Sequence, residues 1–79
     1  MRRKMTKNEL SILKVINQKG RVTYADVEPL MEQDTHDIYW TTFSTICSLI
    51  QSGIMTSEDK YPAVYSITPY GKSKAVELL

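Results

Sequence analysis

Between Ile38 and Thr68 the sequence leaves little freedom: a helix-length run without glycine or proline, then Gly53, then two short β-branched runs around a polar loop. At about 100° per residue, Tyr39, Phe43, Ile46 and Ile50 share one narrow sector of that helix, with Trp40 and Cys47 on one flank and Leu49 on the other. This apolar sector predicts the buried face. The opposite sector gathers Thr41, Ser44, Thr45 and Ser48, with Asp37 and Ser52 at its ends, and is predicted to stay open to solvent. Gly53 supplies the left-handed residue that commonly closes a helix. Ile54-Met55-Thr56 and Ala63-Val64-Tyr65-Ser66-Ile67 then predict a hairpin with its tip from Glu58 to Pro62.

A chain of 79 residues, 42% of them hydrophobic, has material for one core and one domain over 1–79. The formal net charge of +1 creates no global field, so electrostatic steering must be local. The local asymmetry is at the start, where Arg2, Arg3, Lys4 and Lys7 precede the first acid, Glu9, and residues 1–5 read as a flexible basic arm. Cys47 is the single cysteine and has no internal disulfide partner, which fits a reducing compartment. No apolar run approaches the ~20 residues of a membrane span, and no signal-type segment follows the basic start. These features together predict a cytoplasmic protein without membrane contact.

Taken in order, Thr6-Lys7-Asn8-Glu9 has capping-box spacing and should open a helix that ends at Lys19-Gly20. Leu10, Ile12, Leu13, Val15 and Ile16 cover more than half of its circumference, so this helix should touch two neighbours. Arg21-Val22-Thr23 predicts a short strand able to pair with the hairpin, and Thr23 with Asp26 caps a second helix whose inward side chains are Val27, Leu30 and Met31. Pro29 removes an intrahelical hydrogen bond and biases Glu28 away from helical angles, so that helix should be short, kinked or broken at Glu28. The polar stretch from Glu32 to His36 offers Asp34 and Thr35 as caps of the long third helix. Thr68 followed by Pro69 restarts a helix over 69–79, and its Val76, Leu78 and Leu79 predict either folding back on the first helix or a partner.

The pattern Ile46-x-x-Leu49-x-x-x-Gly53-Ile54-Met55 before the hairpin, with Tyr65-x-Ile67-Thr68-x-x-Gly71 after it, resembles the winged helix-turn-helix transcriptional regulators, nearest to the PadR and MarR type. Met55 and Ile67 are conservative departures from that family's pattern, and the resemblance covers roughly Leu10 to Leu79. It implies an α+β winged helix: a three-helix core with a short strand, a two-stranded β-wing and a C-terminal helix. It also implies sequence-specific binding of double-stranded DNA by a homodimer, with the third helix in the major groove and the wing on the backbone. On this sequence the implied DNA contacts are Thr41, Ser44, Thr45 and Ser48 on the helix and Lys60 and Tyr61 on the wing, aided by the arm residues Arg2, Arg3 and Lys4. Val76, Leu78 and Leu79 would supply the dimer interface. The hydroxyl face departs from many relatives in having no Arg or Lys, the usual readers of guanine.

That departure keeps a rival open, a winged-helix module for protein–protein interaction. A replication or partition accessory factor of a mobile element is a further alternative. Catalysis is not expected, because no Gly-rich phosphate loop, cysteine pair or Ser-His-Asp order occurs and Gly20, Gly53 and Gly71 all flank helices. His36 is the lone histidine in a polar turn without ligands at metal spacing, so neither metal nor cofactor is expected. Asp34 and Asp37, just before the third helix, read as partners of its N-terminal dipole. Trp40, the single tryptophan, reads as a ring capping the core with one wet edge, or as a stacking contact for a ligand or subunit.

Overall fold

A computed structural model describes residues 5–32, 37–58 and 62–79. Helix α1 spans Lys7–Lys19 and opens on the expected capping box: the Thr6 hydroxyl accepts from the Glu9 N–H at 3.1 Å, and Glu9 Oε1 accepts from the Thr6 N–H at 2.9 Å. It ends where the Gly20 N–H donates to the Ile16 carbonyl. Ile12, Leu13 and Ile16 are fully buried, and α1 packs on two other helices, as the breadth of its apolar surface predicts.

Strand β1 (Arg21–Thr23) leads into a single-turn helix α2 (Tyr24–Val27), capped reciprocally by Thr23 and Asp26. Pro29 forces the tighter turn Glu28–Leu30, so the helix breaks at Glu28. The long helix α3 runs Ile38–Gln51. Gly53, at φ +83°, turns the chain without the steric cost a side chain would carry there. Strands β2 (Met55–Glu58) and β3 (Val64–Ile67) form the hairpin, and α4 (Pro69–Leu78) follows its Thr68 cap.

Hairpin boundaries differ from expectation, and Ala63 lies just outside β3. Ile54 lies outside β2 because its N–H bonds to the Leu49 carbonyl and its own carbonyl accepts from the Thr68 N–H. Glu58, expected at the hairpin tip, belongs to β2 because its carboxylate is held from two other strands. Arg21 donates to both carboxylate oxygens, at 2.8 and 2.9 Å, and the Ser66 hydroxyl donates to Oε2 at 2.7 Å.

The sheet has the order β1-β3-β2, antiparallel throughout, with Val22 opposite Tyr65 and Met55 opposite Ile67. Its inner face closes the core made by Ile12, Leu13, Ile16, Val27, Ile46 and Leu49 with Ala75 of α4. Fully burying an aliphatic side chain contributes about 1.5–3 kcal/mol, so this cluster is the main stabilising term. The four helices and three strands make a winged helix, with α2 and α3 as the helix pair and β2–β3 as the wing. No described helix is long and apolar enough to cross a membrane.

Candidate functional site

Helix α3 presents one side to the core and the other to solvent, and its orientation corrects the sequence reading. Its cap is Asp37, whose Oδ1 accepts from the Trp40 N–H at 2.9 Å; Asp34, Thr35 and His36 lie outside the described residues. The buried side is built from Thr41, Thr42, Ile46 and Leu49. Tyr39 and Phe43, which their spacing places in the buried sector, are 51% and 42% exposed, and Trp40, on the flank of that sector and expected to keep one edge wet, is 54% exposed. Ile46 and Leu49 are buried as predicted, and Ile50 packs partly against the core. Relative to expectation the helix is turned by roughly a quarter of a revolution, about one residue's worth of rotation.

The hydroxyls explain the turn. Thr42 Oγ1 donates to the Ile38 carbonyl at 2.7 Å and Thr45 Oγ1 to the Thr41 carbonyl at 2.7 Å. A threonine bonded back to the preceding turn hides its polar atom in its own helix and offers a methyl to the core. Ser48 donates at 3.0 Å to Glu9 Oε2, a carboxylate that is itself only 5% exposed. The face that reads as polar by composition therefore docks on α1. The i to i−4 spacing of Thr42 on Ile38 and of Thr45 on Thr41 is the one signal in the sequence that could have revealed it. The Glu9–Ser48 bond spans 39 residues and has no local signature.

The expected DNA contacts therefore fall into different environments. Thr41 is buried, and Thr45 and Ser48 are half-buried with their hydroxyls engaged; Ser44 is exposed. Thr6, Glu9, Ser44, Thr45 and Ser48 line a shallow hollow of about 130 Å³ between α1 and α3. Lys60 and Tyr61 of the wing and Arg2, Arg3 and Lys4 of the arm lie outside the described residues. Val76 and Leu78 of α4 and Leu79 just after it are exposed, while Ala75 is buried.

What α3 turns outward is an aromatic cluster. Tyr39 stacks on Phe43 with ring centroids 6.1 Å apart, and Trp40 meets both edge-on, at 5.5 Å from Tyr39 and 6.2 Å from Phe43. Tyr24 of α2 joins from the side, 6.0 Å from Tyr39, tying the two helices of the pair together. The Tyr24 hydroxyl donates to Glu28 Oε2 at 2.6 Å. Burial and the neighbouring Glu28 carboxylate push its ionisation up to about 12. Helix α3 has no acidic or basic residue anywhere along Ile38–Gln51, so its outward stripe of Tyr39, Trp40, Phe43, Ser44, Cys47 and Gln51 is uncharged. Among the described residues no group of three or more His, Cys, Asp or Glu is placed to hold a metal ion.

No family model matches the sequence, and no curated protein sequence matches it. Among solved structures, the fold matches that of the adhesin competence repressor AdcR from Streptococcus pyogenes, with a TM-score of 0.71 and 18% identity. The match covers 94% of this chain and 55% of the repressor, so the chain spans about half the length of that protein. At that identity the likeness establishes the architecture, a winged helix-turn-helix.

Proposed function

We propose that this chain is a transcriptional regulator that binds duplex DNA as a homodimer, with α3 in the major groove and the wing against the backbone. The observation that carries this reading is a winged helix shared with a repressor over nearly the whole chain, with Tyr39, Trp40, Phe43 and Ser44 in the N-terminal half of α3 exposed. In this fold that half of the helix is the part able to reach base edges. Ser44 is the hydroxyl on the exposed stripe, and Trp40 and Phe43 flank it. Thr45 and Ser48 stand further back at the margin, Thr41 serves the core, and the arm (Arg2, Arg3, Lys4) and wing (Lys60, Tyr61) supply phosphate contacts. A family of the PadR and MarR type is the best fit to the motifs.

One domain with so few cations neutralises few phosphates, whereas two linked domains multiply affinity. Val76, Leu78 and Leu79, apolar and exposed on α4, form the contact between copies in this reading. The half-sites then lie about 34 Å apart. The test is a mobility-shift titration with mixed-sequence duplex at two salt concentrations. Binding that weakens steeply with salt is the expected result, and no salt-sensitive binding at low ionic strength refutes the proposal.

A second reading is favoured by one observation, the exposed aromatic cluster on an uncharged helix. Protein interfaces are enriched in Tyr, Trp and Phe and depleted of charge at their centres. In that reading α3 docks a protein and no DNA.

A further inference from the structure

The outward face of α3 also limits which bases it can tell apart. In the major groove guanine is read by Arg or Lys, adenine by the paired groups of Asn or Gln, and cytosine by an acidic acceptor. Helix α3 has no Arg, Lys, Asp or Glu, and its one amide, Gln51, is the last residue of the helix, about 16 Å along the axis from Trp40. What the N-terminal half does offer is the ring cluster of Tyr39, Trp40 and Phe43 with the Ser44 hydroxyl beside it. The Tyr39 hydroxyl, the Trp40 indole N–H and Ser44 each make single hydrogen bonds that suit more than one base. The rings themselves complement one apolar feature of the groove, the C5-methyl of thymine.

We propose that the aromatic face of α3 reads thymine methyl groups, so that this protein selects thymine-rich duplex through apolar contact in the major groove. The proposal rests on the DNA-binding reading above and specifies what that site recognises. The absence of charge on the helix then becomes functional: a cation there would favour guanine or phosphate over a methyl group. Rings that stack on one another (Tyr39 and Phe43), meet Trp40 edge-on and are braced by the tilted Tyr24 ring form a preset surface, so little side-chain freedom is lost on contact. Each methyl buried against a ring is worth about a fourfold gain in affinity, and two or three together about 15- to 60-fold.

The experiment compares alternating dA-dT duplex with alternating dA-dU duplex, which differ only by the thymine methyls, and with alternating dG-dC duplex. The whole chain is titrated at two salt concentrations, with binding followed by mobility shift and by the fluorescence of Trp40, the only tryptophan. The expected result is binding to dA-dT at least about tenfold tighter than to dA-dU, with dG-dC weaker still. Phe43→Ala, at an exposed position, should lower the dA-dT to dA-dU ratio about fourfold, the share of one methyl, while the salt slope stays the same. Equal, salt-sensitive binding to dA-dT and dA-dU overturns methyl readout and leaves DNA binding standing. No salt-sensitive binding to any duplex overturns both and leaves the aromatic face to a protein partner.

Discussion

Gly71→Ala sets two physical effects against each other with opposite signs. Gly71 lies in the first turn of α4, where helix propensity alone makes alanine better by about 0.5–1 kcal/mol. A methyl built there overlaps the Ile54 carbonyl oxygen and presses on the Ile67 side chain. That carbonyl cannot swing aside freely, because it accepts hydrogen bonds from the Thr68 N–H and the Thr68 hydroxyl, both at 3.0 Å. Relief therefore means either shifting α4 off the base of the wing, at the usual overpacking cost of about 1–3 kcal/mol, or giving up hydrogen bonds worth about 1 kcal/mol each. The steric side wins, with a net destabilisation of about 1 kcal/mol and a melting temperature roughly 4–8 °C lower for a domain of this size. Thermal unfolding followed by circular dichroism measures it, with Ser73→Ala, at an exposed position on the same helix, as the control for propensity. A Gly71→Ala protein that melts at or above the parent temperature refutes the packing account of this glycine.

Ser48→Ala removes a hydrogen bond to the buried Glu9 carboxylate and should lower the melting temperature, in line with the ~1.5–3 kcal/mol of bonds to charged groups; an unchanged melt would restore Ser48 to the solvent face. Tyr24→Phe should cost stability at neutral pH. The wild-type phenol ionises near pH 12, above the ordinary value of 10.0, so its contribution is complete below pH 10 and is lost as pH rises towards 12. The wild-type and Tyr24→Phe denaturation midpoints should therefore converge over that window, and a constant gap would count against the Glu28 contact. Deleting Arg2 to Lys4 should weaken duplex binding and flatten its salt dependence; the same slope with and without the arm would remove these residues from the phosphate contacts. Under the proposed α4 contact, sedimentation velocity should find a dimer for the parent and a folded single chain for Val76→Glu with Leu79→Glu, both side chains being exposed; a monomeric parent would remove α4 as the dimer contact.

Much of the fold was readable because its signals are local. The Thr6–Glu9 and Thr23–Asp26 boxes, the break at Pro29, the turn at Gly53 and the Thr68-Pro69 restart each depend on residues within a few positions of one another. The rotation of α3 was not readable in that way. Hydropathy counts threonine as polar and tyrosine as apolar, whereas Thr42 is fully buried and Tyr39 half exposed. Which face turns inward was decided by Glu9, far away in sequence, and by hydroxyls that close on their own helix. Composition therefore puts Thr41, Thr45 and Ser48 on the open face and Tyr39 and Phe43 in the core, whereas Thr41 is buried, Thr45 and Ser48 are half-buried and both rings are exposed.

The order β1-β3-β2 also bears on how the chain acquires its shape during synthesis. Both outer strands make their backbone ladder only with β3, which ends at Ile67; the direct link between β1 and β2 is the side-chain pair of Arg21 and Glu58. A nascent chain that has emerged as far as Glu58 can make α1 and α3 and bring Ile12, Ile46 and Leu49 together, yet it holds two strands with no mate. Sheet formation thereby waits on β3 and is a single event that completes the wing and the seat of α4 in the same step.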